Sequence, residues 1–164
     1  MTSAFYIASA VAVLSTFMVI TRKNVVHALL YLIVSLLSVA LVFFILGAPF
    51  VAALEVIIYA GAIMVLFVFV IMMLNLGPQS TEQERAWLTP GIWVGPTVMT
   101  VILASELGYV LALGQGRPAA LGAVTPKQVG IALFGPYVLG VELASMLLLA
   151  GLVGAYHLGR RDGA

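Results

Sequence analysis

Five apolar runs, near residues 2–21, 27–47, 50–76, 91–113 and 131–157, make up most of this chain. Each is long enough to cross a hydrocarbon layer roughly 30 Å thick, for which about 20 helical residues suffice. They make the protein all-α: an integral membrane bundle of five transmembrane helices in a single domain over residues 1–164. The breaks between runs carry their own punctuation, TRKN after the first, GAP after the second, GPQSTEQER after the third and GQGRPAALGAVTPKQ after the fourth. None of these short connections holds a soluble domain.

The composition agrees. With 63% hydrophobic residues, 8% charged residues and a mean hydropathy of +1.21, the chain lies far from soluble globular domains, in which about a quarter of residues are charged. A net charge of +1, with the basic residues scattered singly or in pairs, offers no patch for nucleic acid. The lack of cysteine excludes thiolate-held iron–sulfur clusters, disulfides and a cysteine nucleophile. No glycine-rich phosphate loop, nucleotide fingerprint or transporter-like internal repeat is visible. Any redox chemistry therefore belongs to other chains.

The first run has no basic residue before it and Arg22 and Lys23 after it, the reverse of a secretory signal, so it reads as a retained helix. Placing the TRKN loop, the EQER loop and the GRRDGA tail on one side collects Arg22, Lys23, Arg85, Arg160 and Arg161, and leaves Arg117 and Lys127 on the other. By the positive-inside rule the N-terminus is then outside and the C-terminus cytoplasmic. Trp87 and Trp93 flank the fourth run as an interfacial aromatic belt would. Pro49, Pro96 and Pro136 are expected in the first turns of helices or just before them. His27 and His157 stand at helix ends, interfacial positions with no metal-site pattern. Small residues four apart, Ala104 with Gly108, Gly140 with Ala144 and Ala150 with Gly154, suit close helix packing.

The third run, ALEVIIYAGAIMVLFVFVIMML, concentrates the unusual residues: Glu55, Tyr59 and Gly61 lie within two turns of one another. A carboxylate in hydrocarbon costs about 2.5–3.5 kcal/mol on insertion scales, so Glu55 is expected to face protein or water. In an α-helix Tyr59 shares its face, one turn on, with Ala62 and Leu66 continuing the stripe. Gly61 costs about 1 kcal/mol of helix propensity relative to Ala, which suits close packing or a local irregularity. At 1.5 Å per residue the whole third run, residues 50–76, is near 40 Å long, which predicts tilt or a bend. Two further acids lie inside runs. Glu142 is near mid-membrane with Ser145 one turn on, whereas Glu106 is nearer a helix end and is expected to be wetted.

The runs ALEVIIYAGAIMVLFVFVIMMLNL and LFGPYVLGVELASMLLLAGLVGAYH, with HALLYLIVSLL in the second helix, closely resemble the subunit J family of the bacterial proton-pumping NADH:quinone oxidoreductase, respiratory complex I. Matching stretches cover most of the chain. The resemblance implies a multi-pass subunit of the inner (plasma) membrane that carries no cofactor or metal and no catalytic residue of its own. Flavin, iron–sulfur clusters and quinone would sit on partner subunits. It also implies a π-bulge in the third helix, expected around Ala60 to Val65, that forms and relaxes with Gly61 supplying the freedom. Tyr59 would lie beside a hydrated axis of acids, and Met64, Val65 and Phe67 would be the bulky groups that rotation moves across it. Glu55 and Glu142 are then supporting acids. Glu106 has no counterpart in the family's pattern.

Two other readings remain at this point. A subunit of a multi-subunit cation/proton antiporter would copurify with no NADH-oxidising partner. A passive scaffold would tolerate Tyr59→Phe and Glu142→Gln without loss beyond stability.

Overall fold

The computed structural model describes residues 2–22, 24–74, 90–114 and 123–159, and every element among them is helical. Lys23, Arg85, Trp87, Arg117, Arg160 and Arg161, on which the expected orientation and part of the aromatic belt rest, lie outside the described residues. Five stretches are long and apolar enough to cross a membrane: Ser3–Thr21, Val25–Ile45, Pro49–Met73, Gly91–Ala112 and Val138–Gly159. A helix satisfies its backbone polar groups internally, which is what lipid demands of a spanning segment. By its internal contacts the chain divides into two units, Met1–Ala123 and Val124–Ala164.

In the first unit α1 runs over Thr2–Thr21 and α2 over Val25–Ile45. Asn24 starts α2, its side-chain oxygen accepting from the His27 amide at 3.2 Å. At the far end Gly47, at φ +86°, closes a Schellman motif in which the Ala48 amide donates to the Phe43 carbonyl and the Gly47 amide to that of Phe44. Pro49 follows as the first residue of α3 (Pro49–Leu54), where its missing N–H leaves no bond unmade. The chain then continues without a break through a π-helical segment, Glu55–Ile63, into α4, Met64–Leu74. Last comes α5, Pro90–Gly114.

The centre of this unit is α2, which touches α1, α3, the π segment, α4 and α5. Ala8 and Val11 of α1, Val34 and Leu41 of α2 and Leu103 of α5 form its core, with Leu37, Val42, Ile45 and Met99 packed around them. Two contacts set the antiparallel register of α1 on α2: Thr16 Oγ1 with Ser35 Oγ at 2.8 Å, and the Arg22 guanidinium 5.7 Å from the Tyr31 ring centre. On α5, Gly95 lies so close to the Tyr31 hydroxyl that an added Cβ would collide with it. Ser15 of α1 donates to Met99 Sδ at 3.3 Å, so α5 runs parallel to α2 with Gly95 level with Tyr31 and Met99 near Ser35.

Pro96 departs from expectation. Because α5 already begins at Pro90, Pro96 stands inside the helix rather than in its first turn, and the Ile92 carbonyl loses its partner four residues on.

The second unit holds α6, Pro126–Leu133, and α7, Val138–Gly159. A reciprocal capping box starts α6: the Gln128 amide donates to Thr125 Oγ1 at 3.3 Å and the Thr125 amide to Gln128 Oε1 at 2.8 Å. The fifth apolar run, expected as one helix over 131–157, is therefore two. Pro136 cannot donate and disfavours helical backbone at Gly135. A Cβ at 135 would also stand 2.7 Å from the Ile131 carbonyl oxygen.

Candidate functional site

The π segment is the one place among the described residues where a long helix leaves α geometry without being interrupted. Its hydrogen bonds reach five residues back instead of four, and the Met64 amide that closes it accordingly donates to the Tyr59 carbonyl. The irregularity begins at Glu55 and ends at Ile63, so it starts well before the expected stretch around Ala60 to Val65 and stops short of its end. A Cβ on Gly61 would approach the Val56 carbonyl oxygen, five residues back, at 3.2 Å. Glycine therefore serves the wider turn itself. A side chain at 61 would push that carbonyl back by a few tenths of an ångström.

The wider turn rearranges the predicted face. In an α-helix Glu55 and Tyr59 stack one above the other; with more residues per turn, four positions fall short of a full turn and the stripe swings back. Glu55 is half-buried and Tyr59 is 48% exposed. Gly61 is half-buried. The three bulky residues separate: Met64 is 1% exposed, the largest fully buried side chain among the described residues, whereas Val65 and Phe67 are 67% and 47% exposed. The register where π returns to α thus sends one of them into the unit and leaves two, with Tyr59, on its surface.

Glu142 lies on α7 and is exposed. Ser145 does not serve its carboxyl; the hydroxyl donates to the Glu142 main-chain carbonyl at 2.7 Å. Glu142 is part of the second unit. Among the described residues no three His, Cys, Asp or Glu come together in a way that could hold a metal ion.

Two positions differ from expectation. Glu106 is not a wetted end residue: it is 8% exposed, and neither carboxyl oxygen has a hydrogen-bond partner among the described residues. His27, expected at the interface, is 8% exposed and stacks on Tyr31 with ring centres 4.9 Å apart. It opens a polar stripe absent from the predicted site, His27, Tyr31, Ser35 and Ser38, all buried on α2. The signal was in the spacing: four, four and three residues apart, these positions share one helix face.

The family described as NADH-ubiquinone/plastoquinone oxidoreductase chain 6 matches residues 15–158. The chain belongs to this family. It is 65% identical over 160 residues to NADH-quinone oxidoreductase subunit J of Pseudomonas aeruginosa, covering 97% of this chain and 96% of the relative. Subunit J of Escherichia coli K12 is 59% identical over 162 residues, 98% of this chain and 88% of the relative. Subunit J of Buchnera aphidicola from Schizaphis graminum is 52% identical over 156 residues, 95% and 96% of the two chains.

Proposed function

We propose that this chain is a membrane subunit of a proton-translocating NADH:quinone oxidoreductase and couples quinone reduction by its partners to proton movement through the π segment. The five apolar helices and the family membership support the first half of that reading. The protein is then a single multi-pass membrane domain of the bacterial inner membrane, N-terminus outside and C-terminus cytoplasmic. Other subunits of the complex hold flavin, iron–sulfur clusters and quinone.

The observation that carries the second half is the close approach of the Val56 carbonyl to Gly61 inside a nine-residue π segment. Single-turn π irregularities concentrate at functional sites, and here the irregularity decides which side chains face outward. Relaxation of the segment to α geometry would rotate α3 against α4. Tyr59, Val65 and Phe67 would turn relative to whatever adjoins the unit, while Met64 would have to leave its buried seat. A phenol hydroxyl that donates and accepts suits Tyr59 to a water-filled proton path there. Glu55, four residues before it, and Glu142, on α7, are supporting acids.

The test is Gly61→Val in the assembled complex. A branched side chain crowds the Val56 carbonyl and favours α geometry, so the variant is expected to copurify with the flavin and iron–sulfur subunits while NADH-driven quinone reduction and proton pumping fall several-fold. Wild-type rates of both would sink the coupling role. Recovery of the unaltered chain with antiporter subunits and without NADH oxidation would sink the assignment to this enzyme.

A further inference from the structure

The α1–α2–α5 seam buries polar groups that the π segment does not explain. Ser38 Oγ is fully buried and unpartnered, as are both Glu106 carboxyl oxygens. The helix registers bring these groups near one another. Gly95 is level with Tyr31 and Met99 lies near Ser35; three residues further along α2 is Ser38, and seven further along α5 is Glu106. At 1.5 Å per residue the acid lies about 6 Å beyond the serine along the seam, a gap that one or two water molecules span.

The surroundings are apolar. From the Ser15–Met99 contact, seven residues back along α1 is Ala8, level with Glu106. Ala8 and Ala4, one turn further, are 0% and 3% exposed, so α1 offers the acid methyl groups. Leu103, one turn before Glu106 on the same helix, shares a cluster with Ala8 and Leu41. No Lys or Arg is available: the only basic side chains on the described parts of α1, α2 and α5 are Arg22 and His27, both at the far end of the seam, and Tyr31 is the titratable group between. An ionised carboxylate in that setting costs several kcal/mol with nothing to offset it. Nearly all buried polar groups in proteins are hydrogen-bonded, and buried water typically serves the ones that protein atoms leave over, making about three bonds.

We propose that Glu106 and Ser38 enclose an internal water site within this subunit, and that Glu106 holds an exchangeable proton there as a neutral carboxylic acid. The acid's O–H donates to the water, the water donates to Ser38 Oγ, and the hydroxyl and carbonyl lone pairs accept the remaining protons, so each buried group gains a partner. This site is separate from the π segment and stands whether or not the coupling role of Gly61 survives its test.

Infrared spectroscopy on the purified complex tests it. The wild-type minus Glu106→Gln difference is expected to contain one carboxylic-acid carbonyl band that moves to lower frequency in D2O. Ser38→Ala, which removes the hydroxyl and adds no atom, is expected to shift that band upward, toward a less hydrogen-bonded acid. Because Ser38→Ala leaves the acid in place, it reads the site even if Glu106→Gln fails to assemble. A carboxylate band in place of the acid band would overturn the proposal. So would an acid band indifferent to D2O or to Ser38→Ala.

Discussion

The second helix and the third treat their polar groups in opposite ways. Along α2, His27, Tyr31, Ser35 and Ser38 are turned into the unit, where Thr16 and the α1 backbone meet Ser35. Along the third helix Tyr59 stands half-exposed, and the fully buried large residue among its described side chains is the apolar Met64. In lipid, apolar surface gains little from burial against other apolar surface, so association rests on packing and hydrogen bonds. A helix with an inward polar face, such as α2, is therefore a natural organiser of its own chain. One that shows its phenol outward is built for a neighbour.

That contrast can be broken most directly at the junction of the π segment and α4. Met64→Ala leaves a cavity at a fully buried site and is expected to cost about 2–5 kcal/mol, whereas Val65→Ala, one residue on and exposed, is expected to stay within about 0.5 kcal/mol. Melting of the purified complex compares them; equal shifts would mean that the inward and outward division at residues 64 and 65 is wrong. Next in size is Gly95→Ala, whose Cβ meets the Tyr31 hydroxyl and is expected to cost about 1–3 kcal/mol by overpacking. Removing the hydroxyl with Tyr31→Phe should restore part of that loss in the double variant. Additive losses would show that the two residues do not touch.

The smallest effects sharpen the comparison. Ser35 exchanges a hydrogen bond with Thr16 and donates to the Ala12 carbonyl at 3.3 Å, so Ser35→Ala should lower stability by about 0.5–1.5 kcal/mol and leave NADH-driven turnover unchanged. Tyr59→Phe should do the reverse, leaving the melting temperature alone while slowing coupled quinone reduction. If Tyr59→Phe costs stability and not turnover, the third helix is organised like the second.

The five spans were legible because apolar runs of this length have few alternatives, and the TRKN and GAP breaks fall where the second and third helices begin. The polar residues of the third helix were also plain in the sequence, although the exact extent of the irregularity was not. Nothing in Val56, Ile57 or Ile58 distinguishes α from π geometry, since apolar side chains suit either and the choice shows in which carbonyl each amide reaches. Glu106 was misjudged from its distance to the helix end. Burial there depends on how α5 packs against α1 and α2, a tertiary fact that a run of residues 91–113 does not contain. Gly135–Pro136 could have been taken as a break, but the apolar character on both sides masked it.

The π segment also changes a length. Wider turns place more residues around the axis and advance less per residue, so the unbroken helix from Pro49 to Leu74 is shorter than an α-helix of the same residue count. Some of the excess over the hydrocarbon thickness is absorbed in this way instead of by tilt. A passage from π to α would then be a stroke as well as a turn: the helix would extend, and the end of α4 would advance along the membrane normal toward the connection that follows it.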